Sequence, residues 1–376
     1  MPQRFAMSKE KFLIETYCDE LGPEKVLLVH EPTSGLRGLV VVDNTACGPA
    51  IGGVRLAVDV SLTEVFRLAR AMTFKNAAAG LPHGGGKSGI MADPKTADKP
   101  RLLRAFAHAI RDLVDYIPGP DMGTDEACMG VIFDENRRAV GLPRVLGGIP
   151  LDEIGATGYG VVQAAEAAAA CCGLELRGAT VAIEGFGNVG RPAARFLHER
   201  GARLVAASDS RGALFNPQGI DVAQLIAVKR RGGSVTDYEP GHKLPLADLL
   251  TVPCDILIPA ARPDSIHAGN AGRIQAKLIL EAANIPTTAE AETSLHQRGV
   301  VVVPDFIANA GGVICAWVEY HGGTEASALE HIAAKIRHNT EQVLRRARQE
   351  KIPPRQAAEH IATERLHEAM RYRQRR

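Results

Sequence analysis

The chain lacks any run of 18 apolar residues, so no membrane-spanning helix is predicted. It also lacks an excess of either charge: 44 Lys and Arg stand against 43 Asp and Glu, for a net charge of +1. A chain so balanced has no long-range field to draw it to nucleic acid or an anionic membrane. Aromatic residues make up only 5% of it, with a single tryptophan, which leaves no platform of rings for stacked bases. Basic residues crowd only the last part of the chain, where Glu341, Glu350, Glu359 and Glu364 interrupt them, as on an exposed helix face. Cys18, Cys47, Cys128, Cys171, Cys172, Cys254 and Cys315 are odd in number and follow no metal-ligand spacing. Most have apolar neighbours, as reduced structural thiols do. Met1 to Lys11 is charged and polar, unlike a secretory leader. Together these features predict a cytoplasmic protein, and no internal repeat or low-complexity segment appears.

What is present suits a two-domain enzyme: 376 residues, 45% of them apolar and 23% charged. Its most informative stretch runs from Ala71 to Gly89, where Lys75 and Lys87 flank Gly84, Gly85 and Gly86. The spacing of Leu62, Val65, Phe66, Leu68, Ala69 and Met72 predicts a helix entered through a capping box, Ser61-Leu-Thr-Glu64. Lys75 ends that helix, Gly80 and Pro82 stop it, and the glycines form a loop open to a ligand. The alternative is two solvated lysines beside a flexible loop. Apolar flanks at Ala77 to Ala79, Leu81, Ile90 and Met91 argue instead for a partly buried wall, where desolvation and a second cation lower the pKa of Lys87. A phosphate loop is excluded, because Gly80 lies one residue too far from Gly86 and a helix precedes it where a strand is needed.

Around this stretch, residues 8 to 21 read as a helix, and Val26 to Val29, Leu39 to Val42 and Ala50 to Leu56 read as strands. Pro100 to Tyr116 reads as a helix ended by Pro118, followed by a stiff loop to Asp125 and a further helix to about Val140. Gly141 to Gly155 is the expected interdomain connection. Beyond it, the strand Ala179 to Glu184, the turn Gly185-Phe-Gly-Asn-Val-Gly190, a helix to Arg200 and the strand Leu204 to Ala207 give the order of a dinucleotide fold. Strands at Asp255 to Ile258, Leu278 to Leu280 and Val300 to Val303 extend a largely parallel sheet, and the last fifty or so residues read as helical.

Gly52-Gly53, Lys75, Lys87, Asp121, the nucleotide turn, Glu281-Ala-Ala-Asn284 and Asn309-Ala-Gly-Gly312 stand in one order. In this the chain resembles the glutamate/leucine/phenylalanine/valine dehydrogenase family over roughly residues 25 to 325. The resemblance implies an α/β fold with an N-terminal substrate and oligomerisation domain (1–147), a Rossmann-type NAD(P)-binding domain (148–334) and C-terminal helices (335–376) packing back on the first. The helix from Glu325 to about Arg348 is expected to make that return. The implied activity is reversible oxidative deamination of an L-amino acid to a 2-oxo acid and ammonia by a homo-oligomer. By the same resemblance, Lys75 and Gly52 hold the substrate carboxylate, Lys87 acts on the carbonyl or carbinolamine oxygen, and Asp121 shuttles protons. Asp121 with Asp125 and Glu126 does not read as a metal site, since no further ligands follow at calcium-loop spacing.

The resemblance places Ile51, Met72, Gly119, Val313, Ala316 and Asn309 around the substrate. Glutamate dehydrogenases carry a lysine where Ile51 stands and a serine where Ala316 stands. A distal carboxylate buried here without those partners would cost several kcal/mol. A large aliphatic or aromatic side chain is therefore expected, unless neighbouring bulk such as Trp317 fills the space left by Gly119 and Ala316. Glutamate is the alternative substrate. The cofactor is expected on Gly185, Phe186, Gly187, Asn188, Val189 and Gly190, with Ala260, Asn284 and Asn309. It is either NAD held by Asp209 or NADP held by Ser208 and Arg211. Two rival classes remain: a non-catalytic dinucleotide sensor, which Lys75, Lys87 and Asp121 argue against, and an RNA-binding assembly protein.

Overall fold

Successive residues of a strand face opposite sides, so a strand that is apolar throughout must be covered on both. β2 (Leu36–Asn44) is such a strand, buried at every position except Arg37. In the computed structural model, which describes residues 13–373, Leu39 and Val41 pack on Val65, Phe66 and Ala69 of the helix Leu62–Ala78. Leu36, Val40 and Val42 point the other way, onto Leu102, Leu103 and Phe106 of the helix Lys99–Ala109. β2 joins β1 (Lys25–Glu31), β3 (Ala50–Ala57), β4 (Gly84–Met91) and β5 (Tyr116–Pro120) in a sheet of order β1-β2-β4-β3-β5. β3 runs parallel to both its neighbours, and β2 antiparallel to both of its own.

The second sheet has the order β12-β11-β10-β6-β7-β8-β9. β6 (Thr180–Glu184), β7 (Arg203–Asp209), β10 (Ile256–Pro259), β11 (Leu278–Leu280) and β12 (Val301–Val303) are parallel, as expected. β8 (Gly212–Phe215) and β9 (His242–Leu244) add an antiparallel edge that the sequence pattern did not reveal. The alanine-rich helix Ala156–Ala169 packs between Gly190–Glu199 and the long helix Glu325–Glu350. The fold is thus a two-domain α/β architecture with a Rossmann-type second domain.

Several local expectations are corrected. The glycines at 84–86 are not a loop but the start of β4, and Lys87 lies within that strand. A Cβ on Gly85 would stand 2.0 Å from the main-chain nitrogen of Thr73, so the glycine lets helix and sheet approach rather than admitting a ligand. The helix Lys99–Ala109 stops early, and Pro118 and Pro120 belong to β5, an edge strand, where a proline removes no ladder hydrogen bond. Ser61 does cap its helix, but Glu64 turns to Arg55 instead of closing the capping box. Of the helix expected over 8–21, residues 8–12 lie outside the described region, and Leu13–Tyr17 forms a short 3₁₀ turn. The return to the first domain is made chiefly by Pro354–Tyr372. Arg365 of that helix donates to the carbonyl oxygens of Ala77 and Leu81 at 2.7 Å each, while the helix before it contributes Lys335 to the Gly80 carbonyl at 3.2 Å. Among the described residues no helix is long and apolar enough to cross a membrane.

Candidate active site

Two parallel strands and the edge strand beside them bring three charges together. Lys87 on β4 places Nζ 2.9 Å from Oδ2 of Asp121, the residue after β5. Between them runs β3, where Gly53 pairs with Gly119 and a Cβ on Gly53 would lie 2.7 Å from the Cβ of Asp121. The missing side chain is what lets the pair close. Arg55, two residues on, donates from Nε to the same Asp121 oxygen at 3.0 Å and also pairs with Glu64. Burial pushes the Lys87 ammonium below its ordinary range, although Asp121 opposes this. Burial alone would raise the Asp121 carboxyl, but Lys87 and Arg55 outweigh it and hold it below the usual carboxylate value.

Lys75, in the last turn of the helix Leu62–Ala78, faces the same cavity, a space of about 630 Å³ between the two sheets. Its Nζ reaches Oδ1 of Asn284 at 3.4 Å. Burial, reinforced by the charge of Lys87, pushes it down to about 8. Asn284, expected at the cofactor, lines this cavity beside Lys75 and not the cavity at the glycine turn. Asn309 fixes its loop by donating to Asn284 Oδ1 at 3.1 Å and to the carbonyl oxygens of Ala282 and Ala283. The Oδ1 of Asn309 is buried with no protein partner. Gly52 and Met72 line the cavity too.

At the apolar end, Ile51, Ile117, Val140 and Ala316 form one buried cluster, with Gly119 and Val313 beside them. Val140, which sequence reasoning missed, fills part of the room left by Gly119: a Cβ there would meet its Cγ2 at 3.1 Å. Trp317 does not line the cavity and packs instead against His321, His331 and Lys335. Arg55 was also missed, although it sits on the same alternate face of β3 as Ile51 and Gly53.

A second cavity of about 920 Å³ opens at the glycine turn. It is lined by Gly185, Phe186, Gly187, Ser208 and Asp209, and Ala260 borders both spaces. Gly185 has φ +92, and a Cβ on Gly190 would strike the Gly185 carbonyl oxygen at 2.1 Å. These are the tight turn and close helix packing that a dinucleotide needs, and the Gly190–Glu199 helix begins there, so the residues present fit the cofactor. Val189 lines the first cavity, while Asn188 bonds Asp152 outside both.

Asp209 is not a free acceptor for a ribose. It takes hydrogen bonds from Lys229 at 2.5 Å and from Ser234 Oγ and the amides of Val235 and Arg211 at 2.9 Å each. Burial would raise this carboxyl, but Lys229 and those donors hold it at about 2. Arg211 is exposed, turns to the Gly232 carbonyl and lies outside the cavity, whereas Lys229, unforeseen in the sequence, lines it. Ser208 Oγ is buried and accepts from the Gly185 amide at 3.2 Å.

Comparison with known proteins agrees with this geometry. Residues 147–374 match the family model described as glutamate/leucine/phenylalanine/valine dehydrogenase, and residues 23–138 match the dimerisation domain of the same family. The chain is 42% identical over 356 residues to a glutamate dehydrogenase from Aeropyrum pernix, covering 88% of this chain and 85% of that protein. Among solved structures it superposes on the hetero-hexameric glutamate dehydrogenase of Thermus thermophilus in its leucine-bound form, with a TM-score of 0.85 and 32% identity over 94% of this chain and 91% of that one. It also superposes on L-tryptophan dehydrogenase from Nostoc punctiforme, with a TM-score of 0.75 and 26% identity over 96% and 100%. With its paired lysines, carboxylate and glycine turn all in place, the chain belongs to the glutamate/leucine/phenylalanine/valine dehydrogenase family and is an NAD(P)-dependent amino acid dehydrogenase.

Proposed function

We propose that this enzyme deaminates an L-amino acid with a large apolar or aromatic side chain, reversibly, to the 2-oxo acid and ammonia. The wall built by Ile51, Val140, Val313 and Ala316 carries that reading. Those side chains offer a distal carboxylate neither a cation nor a hydroxyl, although Thr157 and Arg67 line the same cavity, and burying a charge against them unpaired would cost several kcal/mol.

In this reading Lys75, aided by the main chain at Gly52, holds the α-carboxylate and so fixes where Cα lies. Lys87 as the ammonium polarises the carbonyl oxygen and steadies the carbinolamine oxygen. Once its proton is given up, the neutral amine can accept one from water, and its lowered pKa favours that exchange. Asp121, 2.9 Å away, takes protons from the substrate nitrogen and returns them, with Arg55 keeping the carboxylate aimed. Bound NAD(P) supplies the two-electron acceptor for the hydrogen on Cα. Asn309 and Asn284 set the loop between the two cavities, and closure of the cleft keeps water from the reacting centre. The dimerisation-domain match supports a homo-oligomer, for which the mass in solution is the check.

A second reading is glutamate, which the comparisons back better than the first, since relatives at about 40% identity over most of the chain, the Aeropyrum protein among them, are glutamate dehydrogenases. Rates with leucine, phenylalanine, tryptophan and glutamate, each with NAD and NADP, decide between them. A preference for glutamate overturns the apolar reading, and turnover of no amino acid overturns both.

A further inference from the structure

Glu184 closes β6 immediately before the glycine turn, and neither the proposed chemistry nor the fold makes use of its side chain. Its main chain is spoken for, since the carbonyl accepts from the Ala260 amide at 2.7 Å in the ladder with β10. The residue is 8% exposed and lines the cavity at the turn, and its Oε2 is buried with no protein partner. An unpaired buried carboxylate oxygen is costly, and here it looks into the space that receives an anion.

The surrounding charges do not remove the difficulty. Ser265 and Arg262, on the segment after β10, face the carboxyl and offset burial only in part, so it stays above the usual carboxylate range. Arg262 is itself exposed. Across the cavity, Lys229 is engaged by Asp209, and Arg191, His267 and Arg273 complete the charged and titratable lining. A dinucleotide brings at least two further negative charges into this space. A carboxylate can only accept hydrogen bonds, whereas a carboxylic acid has one O–H to donate to a phosphate or ribose oxygen. Like charges in a desolvated site disfavour ionisation of the one that can be neutralised.

We propose that Glu184 takes up a proton from solvent when the dinucleotide binds, so that the neutral acid donates from Oε2 into the ligand. Nucleotide affinity is then linked to pH through a residue outside the reacting centre. The direction follows from the linkage: wherever the free enzyme holds Glu184 ionised, binding must draw in a proton, and affinity falls as pH rises.

Isothermal titration of NADH and of NADPH into the full-length protein, each in buffers of different ionisation enthalpy between about pH 6 and 9, tests this without catalysis. The wild type is expected to show buffer-dependent heats that report proton uptake. Its Kd for the tighter nucleotide is expected to rise with pH, by up to about tenfold per unit. Glu184→Gln, isosteric and permanently neutral, is expected to bind with heats independent of the buffer and a flat pH profile. His267→Gln, which removes the histidine of this cavity, is expected to keep the wild-type slope. Buffer-independent heats in the wild type, the same slope in E184Q, or loss of the slope in H267Q instead would each overturn the proposal. Failure of either nucleotide to bind the wild type would overturn it as well, together with the dinucleotide assignment.

Discussion

Lys87 and Asp121 meet at 2.9 Å across a strand that belongs to neither of them, above a glycine, Gly53, whose missing side chain leaves the gap they close. A cation and an anion so placed, both largely withdrawn from water, shape each other's protonation more strongly than two surface charges could.

Replacing Asp121 with Asn should keep the shape of the side chain and remove its proton exchange. Turnover is expected to drop by roughly a hundredfold to ten-thousandfold, the range for loss of a general acid or base. The fold should survive, since Lys87 can shed its own charge once its partner is gone. Steady-state kcat with far-UV circular dichroism checks both, and near-normal kcat in D121N would remove Asp121 from the chemistry.

Lys75 gives a pH dependence of binding. Burial holds its ammonium down at about 8, so below that pH it is charged and can pair with a carboxylate, and above it the charge is lost. Affinity for a 2-oxo acid, measured without turnover, should therefore decline above pH 8 by up to about tenfold per unit. In Lys75→Ala affinity should be weak at every pH, and a wild-type slope retained in that variant would mean another group is responsible.

The apolar wall can be rebuilt. Ile51→Lys together with Ala316→Ser supplies the cation and hydroxyl that a distal carboxylate lacks. In this variant kcat/KM for glutamate is expected to rise, and that for the best aliphatic or aromatic substrate to fall, by about tenfold or more each, as one charged hydrogen bond gained or lost implies. If glutamate is already the best substrate of the wild type, the wall does not set specificity.

Nucleotide choice turns on Lys229. Asp209, at the end of its strand, has its acceptor positions taken, and Lys229 beside it would meet a 2′-phosphate, so NADP is expected to bind the tighter. Lys229→Ala should weaken NADPH by about ten- to a hundredfold, the worth of a hydrogen bond to a charged group, and leave NADH unchanged or improved. Fluorescence titration of both nucleotides measures this, and equal losses would point to a purely structural role.

A stability prediction concerns Arg355, which binds Glu281 at 2.6 Å, Glu292 at 2.5 Å and Asp305 at 2.9 Å. Removing it as Arg355→Met leaves three buried carboxyls without their cation, at a cost of about 3–5 kcal/mol. Glu281 is pushed up to about 8 by burial, so as pH falls below that value the folded protein can bind a proton there that the unfolded chain does not. The thermal midpoint of the variant should therefore fall more at pH 8 and above than at about pH 6. An equal fall at both would separate Glu281 from the effect.

Much of this protein was written in its sequence. The apolar run that buries β2, the cap at Ser61, the order of strand, glycine turn and helix at β6, and the pair of lysines are all local patterns, and local patterns survive without knowledge of the fold. They were sufficient for the two-domain α/β class, and with the family resemblance they singled out Lys75, Lys87 and Asp121, which the fold brings to one cavity. The tertiary structure decided what depends on which segments lie side by side. It made Gly84 to Gly86 a strand, because a helix crosses at Gly85, and it set Arg55 against Asp121. It gave the room beside Gly119 to Val140 and turned Asp209 from the ribose to Lys229. Each of those partners is distant in sequence, so spacing along the chain carries no signal of the contact. Only the packing of two sheets and the helices between them brings such residues within hydrogen-bond or van der Waals reach.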